Sequence, residues 1–103
     1  MEIISVHTDI QKFIYALDDK TNHQIVRILE LLEFQEYRIG MPYSKKIEKD
    51  LYELRIKSTL NIRIFYTFYN SKIYLLHIIN KEKQKLLPKD IDTARRRLAS
   101  LQS

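Results

Sequence analysis

The residues best suited to chemistry in this chain are two arginines, Arg55 and Arg63, on either side of a turn predicted at residues 58–60. The apolar residues of the flanking segments alternate with polar ones and must share a buried face: Leu54, Ile56, Ile62 and Ile64. A slip of one residue would turn one strand over, so only alternate registers satisfy this pattern. The register that also leaves a short loop sets Arg55 directly opposite Arg63 on the other face.

Opposed arginines favour an anionic ligand. Like charges that face each other across a sheet cost from a few tenths of a kcal/mol up to about 1 kcal/mol. Two converging guanidinium groups are suited to gripping a phosphate. The alternative is an ordinary surface salt bridge from the neighbouring Glu53 to one of the arginines. In the phosphate-binding interpretation both arginines are exposed, and four lysines extend the positive surface for RNA: Lys45, Lys46, Lys49 and Lys57.

Three more lysines, a histidine and an aromatic ring lie near this face. Lys81, Lys83 and Lys85 follow the third predicted long strand, although such a charge run is more often only a solvated connection. His77, near the end of that strand, is a candidate proton carrier, although a lone histidine in an apolar strand is more often buried and hydrogen-bonded. Phe65 shares the face of the arginine pair, where its ring would stack on an RNA base.

Several kinds of site are missing from the sequence, and this limits the reactions that the protein could catalyse. Gly40 is the single glycine, so there is no glycine-rich phosphate loop and nucleotide hydrolysis is not expected. His7, His23 and His77 show no metal-ligand spacing, and the chain has no cysteine. We therefore expect neither a metal nor another cofactor. RNA brings its own nucleophile in the 2′-hydroxyl, so cations and proton carriers would suffice to cleave it, whereas DNA could not be cut this way.

Charge is distributed unevenly along the 103 residues. Residues 1–44 carry four basic and seven acidic side chains and residues 45–103 carry fourteen and six, so the balances are −3 and +8. We expect a phosphate-binding face in the second part, although a merely basic soluble protein is the alternative. No apolar run approaches the roughly 18 residues of a membrane span. Together with the lack of cysteine, this predicts a cytoplasmic protein without membrane contact.

Hydrophobic periodicity predicts a single α+β domain over residues 1–103. Two N-terminal amphipathic helices begin at the capping boxes Thr8–Gln11 and Thr21–Gln24, and the second ends before Gly40, a left-handed C-cap. We expect this helical hairpin and a C-terminal helix that starts near Pro88 to pack on one face of a small antiparallel sheet of three to five strands. The strands are predicted near Ile47 and at 51–57, 61–69 and 73–79, with a turn at Asn70 and Ser71. The predicted core contains Ile28, Leu29, Leu32, Leu54, Ile56, Ile62, Ile64 and Leu76.

Five segments of the chain carry a resemblance to a known family: Leu51 to Arg55, Arg63 to Tyr66, Leu75 to His77, the lysine run at 81–85, and Asp90 to Ala94. In this order and spacing they resemble the RelE/ParE toxin superfamily, most closely its HigB-like, phage-related branch. The resemblance spans nearly the whole chain. It implies a RelE-like fold and a toxin of a type II toxin–antitoxin system. Such a toxin typically cleaves mRNA on the ribosome without a metal, and a helix-turn-helix, HigA-like antitoxin inhibits it in a hetero-oligomer.

Carried over by position, the family's two arginines fall on Arg55 and Arg63, and its basic residue after the last strand falls on Lys81. The chain departs from the family at Ile78 and Ile79, where glycine and phenylalanine are frequent, and at Glu82, where a second lysine is usual.

The C-terminal tyrosine of the best-known RelE-type nucleases has no counterpart at Leu86 or Leu87. His77 or a lysine such as Lys83 is therefore the candidate for proton transfer.

Two other functions fit the same fold. One is a ParE-like inhibitor that binds DNA gyrase and cuts nothing, and the other is a non-catalytic nucleic-acid-binding module. The cationic face favours the nuclease, because an inhibitor that binds a protein has no need to oppose two arginines.

Overall fold

The computed structural model describes residues 1–82 and 85–103, so Lys83 lies outside the described residues. Within them the chain forms five strands and three α-helices, which confirms the predicted α+β class. In chain order these are β1 (Ile3–Ser5), α1 (Thr8–Tyr15), α2 (Asp19–Gln35), β2 (Ser44–Glu48), β3 (Leu51–Lys57), β4 (Asn61–Tyr69), β5 (Lys72–Asn80) and α3 (Pro88–Gln102).

The two N-terminal helices begin earlier than the capping boxes predict. His7, not Thr8, is the N-cap of α1, and its Nδ1 accepts a hydrogen bond from the backbone N–H of Asp9. Asp18 is the N-cap of α2, and its carboxylate accepts from the N–H of Thr21 at 3.0 Å. The predicted N-caps were wrong because an extended residue just upstream of each box carries its own hydrogen-bond acceptor.

The end of α2 also differs from the prediction. The helix stops at Gln35, and Glu36 adopts a left-handed φ of 54° before a short 3₁₀ turn at Glu36–Arg38. No glycine has a positive φ, so the prediction that Gly40 is the C-cap was wrong. The segment from Ile39 to Tyr43 instead returns the chain to the sheet as an irregular connection.

The sheet has the order β1-β5-β4-β3-β2. Strands β2 to β5 are antiparallel, and β1 adds to β5 in parallel at one edge, so the sheet is mostly rather than wholly antiparallel. The predicted register of β3 and β4 is confirmed, with Arg55 opposite Arg63. The predicted turn between β4 and β5 is confirmed as well, and both Asn70 and Ser71 have positive φ, as a tight hairpin with a right-handed strand twist requires.

Both faces of the sheet are covered by helices. On one face, helices α1 and α2 pack through Ile10, Ile25, Ile28 and Leu32 onto Leu54, Ile56, Ile62 and Ile64. On the other face, Ala94 and Leu98 of α3 pack with Leu51, Phe65 and Leu76. The expectation that all helices share one face was therefore wrong. Every predicted core residue is buried except Leu29, which is partly buried.

In the described parts of the chain, no helix is both long enough and apolar enough to cross a membrane.

Candidate functional site

The face that carries α3 is apolar toward one end and cationic toward the other. Register places three rows of side chains across this face, because residues two apart on a strand point the same way. From β3 to β5 the rows are Glu53–Phe65–His77, Arg55–Arg63–Ile79 and Lys57–Asn61–Lys81. The last row continues beyond the sheet ladder, where the N–H of Lys81 donates to the carbonyl of Asn61 at 2.7 Å. Helix α3 contacts Phe65 and His77 of the first row, and the cations lie in the other two rows.

Glu53 lies between the two arginines and contacts both. Its Oε1 is 2.9 Å from Nε of Arg55, and its Oε2 is 3.5 Å from Nε of Arg63. The carboxylate is 2% exposed. The surface salt bridge considered from the sequence is therefore a buried bridge that serves two arginines at once. Removing Glu53 from water costs free energy that only such cationic partners can offset.

Arg63 is buried, contrary to the expectation that both arginines are exposed. Its side chain is 8% exposed because β4 lies in the middle of the sheet, whereas the side chain of Arg55 on β3 is 24% exposed. Burial lowers the pKa of Arg63; the carboxylate of Glu53 opposes this shift, and the charge of Arg55 adds to it. Among the described residues Nε of Arg63 has no hydrogen-bond partner, since the contact with Glu53 is an ion pair without hydrogen-bond geometry.

A groove runs beside the arginine pair, and we call it the cationic groove. It has a volume of about 510 Å³ and is lined by Gln24, Ile28, Met41, Pro42, Tyr43, Arg55, Lys57 and Arg63. The connection before β2 forms one wall and is held to β3 by the N–H of Arg55, which donates to the carbonyl of Tyr43 at 2.7 Å. Three cations thus line one concavity, and the carboxylate of Glu53 lies behind the two arginines.

The remaining predicted lysines are arranged differently. Lys45 is paired with Glu53, so it lies on the arginine face, whereas Lys46 is paired with Tyr52 and points to the other face. Lys49 is exposed in the turn between β2 and β3. Lys81 and Lys85 line a separate, smaller pocket together with Asn80 and Asp90. The structure therefore brings Arg55, Lys57 and Arg63 together, with Lys81 in the adjacent row.

His77 lies under α3, outside the cationic groove. Its Nε2 is 3.0 Å from Oδ1 of Asp90, and the two side chains are 17% and 15% exposed. The imidazole ring stacks on Phe65 with a centroid distance of 6.1 Å. These contacts match the alternative in which this histidine is a buried, hydrogen-bonded residue.

The prediction that Phe65 stacks on RNA was wrong. The ring is fully buried, because α3 covers this part of the face and packs Ala94 and Leu98 against it. The sequence contained a signal for this arrangement: β4 is apolar on both faces over Ile64, Phe65 and Tyr66, which is typical of a strand covered on both sides.

Three residues of the site were missed or misjudged from the sequence. Met41 and Tyr43 were not singled out, and they come to the site only through the irregular connection before β2. Glu53 was recognised as a neighbour of the arginines, but its burial was not expected. Within residues 1–82 and 85–103, no group of three or more histidine or acidic side chains has the arrangement of a metal site.

Comparison with known proteins identifies the family. The family model described as Phage derived protein Gp49-like (DUF891) matches residues 12–99, which include both arginines, Glu53, all of α2 and parts of α1 and α3. No curated protein matches the chain. The Gp49-like family is related to the RelE/HigB-type toxins. The match covers most of the sequence, and the chain belongs to the phage-derived Gp49-like family.

Proposed function

We propose that this protein is the toxin of a type II toxin–antitoxin system, of the HigB-like branch, and that it cleaves mRNA on the ribosome. The observation that carries the proposal is the state of Arg63: a buried guanidinium that lines a groove while its Nε has no hydrogen-bond partner among the described residues. Such an unsatisfied buried donor is costly, and an anionic ligand in the groove would satisfy the guanidinium group.

A phosphodiester is the anion that fits best. Arg55, Lys57 and Arg63 line the groove, and among the described residues no acidic side chain lines it, while the carboxylate of Glu53 contacts the two arginines, so the local balance is positive before any ligand binds. Guanidinium groups present forked donors that match phosphate oxygens, and in a partly buried groove each such hydrogen bond is stronger than in water. The lysines of the adjacent row and of β2 add a sequence-independent attraction for the RNA backbone.

The proposed reaction uses the nucleophile of the substrate. The 2′-oxygen attacks phosphorus, the bond from phosphorus to the 5′-oxygen breaks, and the 2′-hydroxyl proton passes to water. Arg55 and Arg63 stabilise the extra negative charge of the phosphorane, a role for which no metal is invoked. Lys81 protonates the leaving 5′-oxygen, since its row adjoins the arginine pair and its side chain can donate a proton. The products carry a 2′,3′-cyclic phosphate and a 5′-hydroxyl.

A protein partner follows from this activity. A nuclease that cuts host transcripts would arrest its own cell, so we propose a helix-turn-helix, HigA-like antitoxin that binds the toxin in a hetero-oligomer. The family relationship supports this partner. Expression of the toxin alone should stop growth, and co-expression with the neighbouring gene should restore it; a harmless protein from an isolated gene would count against the pair.

One experiment tests the function. The protein is induced briefly in cells, and transcript ends that bear a 5′-hydroxyl are mapped while the supercoiling of a reporter plasmid is followed. We expect new 5′-hydroxyl ends within translated regions, and we expect them to disappear when translation initiation is blocked. Relaxed plasmid without new RNA ends would support a gyrase inhibitor instead and would contradict the proposal.

A further inference from the structure

The two arginines of the cationic groove share a contact with Glu53, a residue that does not line the groove. Glu53 is 2% exposed and lies in the row below the arginines, opposite the buried ring of Phe65. Its two carboxylate oxygens are divided between the arginines, Oε1 to Arg55 at 2.9 Å and Oε2 to Arg63 at 3.5 Å.

The carboxylate lies nearest to Nε of each arginine: it accepts a hydrogen bond from Nε of Arg55, and its contact with Nε of Arg63 is a longer ion pair. This leaves the terminal nitrogens of Arg55 for a ligand; their contact in the structure is a long one, from Nη1 to the sulfur of Met41 at 3.9 Å. In Arg63 the contact of Nη1 is with the carbonyl of Ile62 at 3.5 Å, which is also long. Arg55, which is hydrogen-bonded at Nε, loses little conformational entropy when its terminal nitrogens bind a phosphate, and the burial of Arg63 restricts that side chain in the same way.

We propose that Glu53 is a positioning residue, which holds the two guanidinium groups in the arrangement that receives the scissile phosphate. This inference rests on the proposed function and adds a residue to it. Glu53 does not touch the substrate. It acts through the arginines, and it keeps two like charges together that would otherwise move apart.

The charge of Glu53 makes this role distinguishable from a merely structural one. Replacing the carboxylate with the isosteric amide removes a negative charge from behind the groove, so RNA should bind as tightly as before or about threefold more tightly by Coulomb attraction. The arginines would no longer be held in one arrangement, so the rate of cleavage should fall by about a hundredfold, the size typical for losing preorganised charge stabilisation. A merely structural defect lowers the fraction of folded protein and cannot strengthen binding.

The test compares the intact protein with Glu53→Gln. Binding is measured with a 2′-O-methyl oligoribonucleotide, which cannot be cleaved, and cleavage is measured in single-turnover reactions on programmed ribosomes, normalised to folded protein by circular dichroism. Glu48→Gln is the matched control, because Glu48 also pairs with an arginine, Arg95, but on the surface away from the groove. We expect wild-type rates for Glu48→Gln, and undiminished binding with slow cleavage for Glu53→Gln.

Arg55→Lys keeps the experiment decisive if Glu53→Gln does not fold. Lysine retains the charge but cannot be held at Nε while a terminal group binds phosphate, and the partly exposed site should tolerate it. We expect binding within about threefold of wild type and at least tenfold slower cleavage.

Wild-type cleavage by Arg55→Lys or by folded Glu53→Gln would overturn the positioning role and leave the proposed function standing. Weakened binding in proportion to lost folded protein would overturn it as well. A wild-type protein that does not cleave RNA would instead overturn the proposed function.

Discussion

Arg55 and Arg63 lie directly opposite each other on β3 and β4 and share one carboxylate, yet they differ threefold in side-chain exposure, 24% against 8%. The difference follows from their strands, since β4 is central and β3 has only the short β2 beyond it. We therefore expect Arg55 to contribute mainly to ligand binding and Arg63 to contribute to both binding and stability.

This difference in burial predicts different costs for two alanine variants. Arg63→Ala removes a buried partner of Glu53 and leaves a cavity, and it should lower the free energy of unfolding by about 2–3 kcal/mol. Arg55→Ala also removes a cationic partner of the buried Glu53, but from a partly exposed position that water can enter, and it should lower the free energy of unfolding by about 1–2 kcal/mol. Urea denaturation measures both values. Equal stabilities of the two variants would contradict the larger contribution to stability that we assign to Arg63.

Because the ring of Phe65 is buried, we expect its replacement to destabilise the fold and to leave RNA recognition unchanged. Phe65→Ala should destabilise the protein by about 3–5 kcal/mol by emptying the space under α3, and Phe65→Leu should cost clearly less. Thermal unfolding of both variants provides the measurement. A stable Phe65→Ala variant with weakened RNA binding would restore the stacking role that the sequence suggested.

Because His77 on β5 contacts Asp90 on α3, we expect the two side chains to contribute jointly to stability. His77→Asn and Asp90→Asn should each destabilise the protein, and a double-mutant cycle should give a coupling free energy of about 1 kcal/mol. Cleavage per folded molecule should fall less than tenfold in His77→Asn, because His77 lies outside the cationic groove. A hundredfold loss of cleavage at unchanged stability would instead assign proton transfer to His77.

Because the phenol of Tyr66 is buried, we expect the folded protein to lose stability at alkaline pH. Its hydroxyl is hydrogen-bonded to that of Ser44, and burial raises the pKa of the phenol from 10.0 to about 12. The unfolded chain therefore releases this proton first, so the contribution of Tyr66 is constant below pH 10 and is lost as the pH rises from about 10 to about 12. The limiting slope is about 1.4 kcal/mol per pH unit.

Tyr66→Phe isolates this contribution. Unfolding free energies measured between pH 8 and pH 12 should decline less steeply in Tyr66→Phe than in the wild type. Parallel curves would show that Tyr66 does not titrate differently in the folded and unfolded protein.

The register of β3 and β4 could be predicted from the sequence because it depends on local alternation. Leu54 and Ile64 must face the core together, and a one-residue slip would bury Arg55 or Arg63 in the face covered by α2. Burial on the opposite face could not be predicted in this way. The apolar run Ile64 to Tyr66 indicates that both faces of β4 are covered, but the narrow apolar stripe of Ala94 and Leu98 does not specify how far along the second face α3 reaches.

The helix ends and part of the site could not be predicted either, because local sequence patterns do not determine them. Asp18 and Thr21 are both good N-caps, and local propensity does not decide between them. Arg55 and Arg63 were found from strand pairing, whereas Tyr43 reaches the groove through an irregular connection with no periodicity. Glu53 looked like a surface residue because it stands between Tyr52 and Leu54 in a strand whose polar and apolar residues alternate.

The central claim is that the arginine pair beside the cationic groove cleaves RNA, and the most direct measurement compares Arg55→Ala with Arg96→Ala. Both variants remove one positive charge from the protein, but Arg96 is exposed on α3 and does not line the groove. Growth arrest and new 5′-hydroxyl transcript ends are measured after induction, with thermal stability as the control for folding. We predict that Arg55→Ala loses a hundredfold or more in cleavage and that Arg96→Ala cleaves as the wild type does. Full toxicity and cleavage in a folded Arg55→Ala variant would contradict the assignment of a ribonuclease site to this groove.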